Sequence, residues 1–123
     1  MKASEIITAA RDLLQDIATE AADQRWTDAS FVVWVNDVVG DIRRKRADSL
    51  YDDEGDAIDI TTTTEADLAE GDDEDDVCLA DRWRTACVNY LCHRAFLRDA
   101  EDPENRRMSE SYLTLYKQEV YGV

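Results

Sequence analysis

The side chains with the most reactive chemistry are few in this chain, and their spacing does not build a catalytic site. His93 is the only histidine, and the nearest thiol belongs to the adjacent residue, Cys92. Neighbouring residues on a helix point about 100° apart, so these two side chains do not form a nucleophile and base pair. Cys87, Cys92 and His93 lack the close Cys-x-x-Cys spacing of a zinc site, and Cys78 lies too far away in the sequence to complete one. We therefore predict a hydrogen-bonded or exposed His93, three buried free thiols, no cofactor and no enzymatic activity.

Acidic side chains are concentrated in one segment, residues 48–76, which we term the acidic insert. It holds 14 of the 29 Asp and Glu residues and no Lys, Arg or His. Clustered carboxylates bind Mg²⁺ and Ca²⁺, but no calcium-binding loop motif is present, and binding by the run 72–76 would be adventitious. The low hydrophobicity predicts an extended loop that is locally disordered in the isolated protein, with one short strand or hairpin near 57–64.

The net charge of −15 also comes from the acidic insert, because the rest of the chain has 15 acids against 14 bases. Affinity for nucleic acid depends largely on Lys and Arg side chains that neutralise phosphates. The charge balance therefore argues against an ordinary nucleic-acid binder. It is compatible with a protein past which DNA slides without binding.

Four stretches carry apolar residues at helical spacing, which predicts an all-α fold with four helices in a bundle. Ser4 and Thr27 are expected to cap the first two helices, Pro103 to start the fourth and Gly122 to end it. The length of 123 residues and the hydrophobic content of 44% fit a single domain. The helices are predicted at residues 4–19, 27–46, 80–101 and 103–121.

Two residues near the second helix carry specific structural predictions. Trp26 precedes the capping Thr27, and we expect its ring to hold the start of the second helix against the third helix. Asn36 is a polar residue in an otherwise apolar stripe. We expect its amide to bond the backbone of a loop rather than water.

Five short motifs, taken in chain order, resemble those of the head-to-tail adaptor (connector, head-completion) proteins of tailed phages. The resemblance covers about two thirds of the chain and includes the N-terminal helix, the second helix and the junction between the last two. The middle departs from it, because the relatives carry a longer and more β-rich insertion there. The motifs are RDLLQD (11–16), RWTD (25–28), WVND (34–37), YLCHRA (90–95) and RDAEDP (98–103).

The resemblance implies a structural virion protein of the head-tail neck, made in the host cytoplasm and without a membrane segment. Such proteins form a homo-oligomeric ring, dodecameric in the virion, between the portal protein and the next neck or tail-completion protein. The ring extends a channel through which DNA passes without specific binding. Relatives dock on the portal through a C-terminal helix or tail, here residues 112–123. The docking residues expected from this are Tyr112, Tyr116, Val120 and Tyr121.

A ring also requires contacts between neighbouring subunits. Trp26 and Trp34 are candidate aromatic anchors for them, the alternative being that both fill the core. The basic run 43–46 either faces the acidic insert of the next subunit or only closes a helix. The interface set predicted in this way is Trp26, Trp34, Arg43, Arg44, Arg46, Asp72, Asp73 and Asp75.

A second function class stays open from the sequence alone. The carboxylates of residues 48–76 could be presented to a basic nucleic-acid-binding protein, which would make this chain a small acidic binding module such as a DNA-mimic inhibitor. Mimicry requires acids on ordered faces at phosphate-like spacing. Their position in a loop of low hydrophobicity favours the adaptor interpretation.

Overall fold

Five α-helices account for most of the chain in the computed structural model, which describes residues 1–15, 25–70 and 76–122. The all-α prediction is confirmed, since the described residues contain no β-strand and only two isolated bridges. Four helices occupy the predicted stretches, and a short additional helix lies inside the acidic insert, where none was predicted. The helices are α1 (Ala3–Leu14), α2 (Asp28–Lys45), α3 (Glu65–Glu70), α4 (Arg84–Arg98) and α5 (Pro103–Tyr121).

Local side-chain chemistry sets the ends of α2 and α5. The hydroxyl of Thr27 accepts a hydrogen bond from the backbone N–H of Ser30 at 3.1 Å, which confirms the predicted cap of α2. The carboxylate of Asp102 does the same for the N–H of Glu104 at 2.8 Å, directly before the proline that begins α5. Gly122 ends α5 with a left-handed φ of 72°, as predicted.

The first helix differs from its prediction at both ends. It begins at Ala3 after Lys2, so the expected cap residue, Ser4, lies within the first turn and does not precede it. It ends at Leu14, where Gln15 takes a left-handed conformation with φ of 60°. The remainder of the predicted helix, residues 16–19, lies outside the described residues.

Helix α4 is the centre of the fold, because it packs along α5 and also contacts α1 and α2. Its three neighbours enclose most of its surface, so its buried side includes polar residues as well as apolar ones. The all-α class is confirmed, whereas the adaptor-type arrangement of the four helices in a bundle stays a prediction. The largest fully buried side chains are Ile6, Trp26, Phe31, Val35, Val38, Ile42, Cys87, Leu91, Cys92, Tyr116 and Val120.

The three cysteines are free and buried, which confirms their prediction. Burial raises the pKa of Cys87 and of Cys92 to about 12. Both thiols therefore stay protonated at neutral pH and behave as small apolar side chains of the core.

The described part of the acidic insert is tied to the rest of the molecule. The amide of Asn36 donates to the carbonyl of Thr63 at 2.8 Å, and its oxygen accepts from the N–H of the same residue at 3.0 Å. This confirms the expected bond from Asn36 to a loop backbone. Arg43 donates to the carbonyl of Ile58 at 3.1 Å. These contacts attach residues 57–64 to α2, and the predicted local disorder of the insert stays a prediction. Residues 71–75 lie outside the described part.

We expect Asn36→Ala to lower the free energy of unfolding by about 1–3 kcal/mol, because the backbone N–H and carbonyl of the buried Thr63 both lose their partner. Amide hydrogen exchange of residues 57–64 should accelerate more than that of α4. Asp37→Ala is the matched control, since the neighbouring Asp37 is exposed and its loss should cost less than about 0.5 kcal/mol. Equal effects of the two substitutions in urea denaturation would contradict the anchoring role of Asn36.

Candidate interaction surfaces

Trp26 joins two motifs that are far apart in the sequence. Its ring is buried, and its indole N–H donates to the backbone carbonyl of Ala95 in α4 at 3.1 Å. Beside it, the guanidinium of Arg25 pairs with the carboxylate of Asp99 at 2.7 Å. The expected attachment of the start of α2 to the third predicted helix, α4, is therefore confirmed.

A third motif reaches the same place through Arg11 of α1. This side chain is largely buried and donates to the carbonyl of Trp26 at 2.9 Å and to the carboxylate of Asp28 at 2.7 Å. Its guanidinium also lies over the ring of Phe31, 4.6 Å from the centroid. The ion pair and the hydrogen bonds compensate for removing the charge from water. We term this cluster the motif junction: Arg11, Arg25, Trp26, Asp28, Ala95 and Asp99.

The two tryptophans predicted at a subunit interface are core residues in this structure. Trp26 is enclosed by the contacts just described, and the ring of Trp34 packs edge-on against Phe31 with 5.2 Å between centroids. Neither presents its ring to a partner as an exposed anchor. The alternative that both fill the core is the one that the structure supports, because the stripe of α2 is covered on one side by α1 and on another by α4.

The four residues predicted to dock on a portal do not share one environment. Tyr116 is 2% exposed and Val120 is fully buried, so the structure corrects their assignment to an exposed docking face. The helical spacing that groups them with Tyr112 marks the side of α5 that packs on α4. Tyr112 is half-buried and stacks on Phe96 with 6.0 Å between ring centroids. Tyr121 is 40% exposed and is the most accessible of the four.

Asp41 of α2 binds the C-terminal end of α5 through two tyrosines. One of its carboxylate oxygens accepts the hydroxyl of Tyr116 at 2.6 Å and the hydroxyl of Tyr121 at 2.7 Å. Burial and the bond to Asp41 raise the pKa of Tyr121 to about 12 and that of Tyr116 still further. Both phenols therefore remain protonated donors across the physiological pH range. The Tyr121 ring is thus fixed in position while part of it faces solvent.

The basic residues predicted at a subunit interface also differ in their environments. Arg43 donates to the carbonyls of Cys78 and Ile58, at 2.9 and 3.1 Å. Arg46 donates to the carboxylate of Asp48, and its Nη1 bonds the carbonyl of Val120 at 3.1 Å.

Arg43 and Arg46 therefore bond groups of their own chain and stabilise its fold. The side chain of Arg44 is 72% exposed, and among the described residues its ion pair is with Asp41, at 3.8 Å. The proposed acidic partners Asp72, Asp73 and Asp75 lie outside the described residues.

His93 connects α4 to α5 through Ser109. Its Nδ1 lies 2.9 Å from the Ser109 hydroxyl and 3.1 Å from the Ser109 carbonyl, and that hydroxyl donates to the His93 carbonyl at 3.0 Å. Both residues are buried. Of the two predicted possibilities, the hydrogen-bonded histidine is the one observed. Among the described residues, no group of three or more His, Cys, Asp or Glu is placed to hold a metal ion.

We expect acid to destabilise the protein partly through His93. Burial lowers the pKa of its imidazole from the ordinary 6.5, so the folded state keeps the ring neutral while the unfolded chain takes up a proton. The stabilisation is complete above about pH 6.5 and is lost as the pH falls through the folded-state pKa. His93→Gln should therefore flatten the decline of unfolding free energy between about pH 7 and pH 5, measured by urea denaturation. Parallel slopes for the two proteins would assign the acid sensitivity to other groups.

An open groove between α2 and α4 is a feature that the sequence patterns did not reveal. Its volume is about 350 Å³. Val33 and Leu97 line it and are 55% and 48% exposed, respectively. The one available signal was that Val33 falls outside the apolar stripe of α2. We term this feature the α2–α4 groove, lined by Ser30, Val33, Trp34, Arg94, Leu97 and Arg98.

A second exposed apolar feature lies on the acidic insert. Residues 57–64, which we term the arm, run without helix or strand between a turn and α3. Ile60 of the arm is 80% exposed, more than any other large apolar side chain that the structure describes.

Comparison of the chain with protein-family models, with curated proteins and with solved structures gives no match. None of the helices within the described ranges has the length and apolarity required to cross a membrane.

Proposed function

We propose that the protein is a head-to-tail adaptor of a tailed virus, forming a ring between the portal and the next neck or tail-completion protein. The observation that carries the proposal is the motif junction. Four of the five motifs that carry the resemblance meet there through Arg11, Trp26 and their partners, namely 11–16, 25–28, 90–95 and 98–103. If the chain shares the fold of the adaptor proteins, motifs that are distant in the sequence are expected to build one contact site together.

The described surface also suits a ring subunit. A ring of identical subunits needs two different, mutually complementary surfaces on each copy, joined by a contact whose rotation closes. The arm with Ile60 and the α2–α4 groove are two such unlike features on one helical body. A DNA channel lined by a protein of net charge −15 would let DNA pass without binding.

The acidic residues of the insert give less support to a DNA mimic. A carboxylate oxygen of Asp52 accepts the backbone N–H groups of Glu54 and Asp56 at 3.0 and 2.8 Å, which builds a turn. Asp48 pairs with Arg46 at 3.0 Å. These carboxylates stabilise the local backbone of the insert and are not arranged along one helix face. The acidic binding module therefore remains the second candidate.

The proposal predicts a gene neighbourhood that encodes portal, capsid and tail-completion proteins. Reconstitution with the portal protein encoded there should give ring-shaped complexes in negative-stain electron microscopy. The same purification would reveal the alternative function. A gene neighbourhood without virion genes, together with capture of a basic nucleic-acid-binding protein, would replace the adaptor by the acidic module.

Within this proposal the C-terminal segment 112–123 docks on the portal, with Tyr121 as its accessible aromatic anchor. Tyr121→Ala should leave the fold intact, because the Asp41 carboxylate keeps its bond to Tyr116. Complementation of a null virus with this variant should give DNA-filled heads that lack tails in electron micrographs. Leu115→Ala is the matched control, since Leu115 is exposed on the same helix and should not be needed. Normal tailed particles from Tyr121→Ala would exclude this residue as the anchor.

A further inference from the structure

The arm holds an exposed apolar side chain on a backbone that is fixed on both sides. Before Ile60, the carbonyl of Ile58 accepts from Arg43 at 3.1 Å. After it, the carbonyl of Thr61 accepts from the Cys78 thiol at 3.5 Å. A side chain presented by an already ordered backbone loses little conformational entropy on binding. Ile60 is therefore suited to enter a pocket on another molecule.

The α2–α4 groove has the shape and lining to receive such a side chain. Val33 and Leu97 line it with exposed apolar side chains, and the largely buried Trp34 also borders it. Its volume of about 350 Å³ lies at the lower end of the range for ligand pockets, about 300–1,000 Å³. This size favours one or two side chains of a partner over a large cofactor.

The charges of the groove and the arm are opposite. Arg94 and Arg98 border the groove. Arg98 donates to the hydroxyl of Ser30 at 2.7 Å, and within the described ranges no carboxylate pairs with it. Ile60 follows Asp59, which is exposed on the arm. A carboxylate next to the inserted side chain would thus meet a guanidinium that has no acidic partner among the described residues, which favours this pairing over an uncharged one.

We propose that the arm of one copy of this chain docks in the α2–α4 groove of a second copy, with Ile60 between Val33 and Leu97 and Asp59 beside Arg98. This inference rests on the proposed function, for which it supplies the contact between neighbouring subunits. Arm and groove are different surfaces, so the contact is heterologous and repeats from one copy to the next. The acidic insert then acts as a connecting element, and its partner is a copy of the same chain.

Two variants with complementary defects test this contact. Ile60→Asp removes the apolar anchor and leaves the groove intact, whereas Leu97→Asp blocks the groove and leaves the arm intact. Both positions are exposed, so both variants should fold. Isotope-labelled Ile60→Asp protein is titrated with unlabelled Leu97→Asp protein, up to about 1 mM so that weak binding is detected by NMR. We expect saturable shifts at Val33, Leu97 and Arg98 of the labelled chain.

Two comparisons isolate the contact. A mixture of labelled and unlabelled Ile60→Asp protein contains no intact arm. The affinity between these two proteins should be weaker than that of the complementary pair by about tenfold or more. Unlabelled Leu115→Asp protein should bind labelled Ile60→Asp protein as the unlabelled wild type does, because Leu115 is a similarly exposed apolar residue outside both surfaces. Absence of shifts with the complementary pair, or equal shifts with both pairs, would overturn the contact.

The outcomes for the contact and for the adaptor function can be distinguished. If the complementary pair shows no binding while the protein still restores tailed particles, the arm contact is wrong and the adaptor function stands. If the pair binds but no portal complex and no virion role exist, the contact stands as a self-association and the adaptor function fails.

Discussion

Replacing Trp26 by alanine should lower the free energy of unfolding by about 3–5 kcal/mol, the range for deleting a large buried aromatic side chain. The ring is buried at the motif junction, and its removal also leaves the carbonyl of Ala95 without its indole donor. Natural domains are stable by only about 5–15 kcal/mol. The loss is therefore a large fraction of the total, and a strongly lowered thermal midpoint should be visible by circular dichroism.

Two further substitutions separate packing from hydrogen bonding at this site. Trp26→Phe keeps an aromatic ring and loses the N–H donor, so it should cost less than the alanine variant. Val33→Ala is the surface control, because Val33 is an exposed apolar residue and its loss should cost less than about 0.5 kcal/mol. A thermal midpoint unchanged by Trp26→Ala would place this side chain at an exposed interface instead of the core.

Replacing Tyr116 by alanine should also cost about 3–5 kcal/mol, again because a large buried aromatic side chain is deleted. The ring is 2% exposed and packs against Tyr90 with 5.2 Å between centroids. Its hydroxyl is one of two that donate to the carboxylate of Asp41. The substitution should therefore loosen the C-terminal end of α5 from α2, and amide exchange in that part of α5 should rise first.

The phenylalanine variants provide the matched comparison. Tyr116→Phe removes only the hydroxyl bond to a charged group, which is worth about 1.5–3 kcal/mol. Tyr121→Phe removes the second hydroxyl bond to Asp41 at a site that is 40% exposed, and its cost should be smaller. If Tyr116→Ala left stability unchanged but removed attachment to a portal, Tyr116 would be a docking residue and its burial would have to be reversed on binding.

The C-terminal helix shows where sequence reasoning was sufficient and where it was not. The spacing of Tyr112, Tyr116 and Val120 correctly placed them on one face, because the period of an α-helix is fixed by its backbone geometry. The same spacing does not predict which part of the molecule, if any, covers that face. Only the packing of α5 on α4 showed that Tyr116 and Val120 are internal and that Tyr121 remains accessible.

The cap of α2 at Thr27, the end of α5 at Gly122, the buried free thiols and the bond from Asn36 to a loop backbone were all predicted. The first two depend on local rules of backbone geometry and hydrogen bonding, which adjacent residues satisfy by themselves. The last two follow from general rules on which side chains are buried and on the pairing of buried polar groups. The expected partner of Asn36 was a class of group, and the particular residue was not predictable.

Tertiary structure alone decided what each arginine and each exposed apolar residue does. Arg43 and Arg46 bond carbonyls of segments up to 74 residues away in the sequence. The α2–α4 groove is made by side chains of two separate helices. Chain connectivity does not specify such contacts, because they arise only when the burial of apolar surface brings distant segments together. The sequence predicted four of the five α-helices and their apolar faces, and the packing of those faces determined which residues were left for a partner.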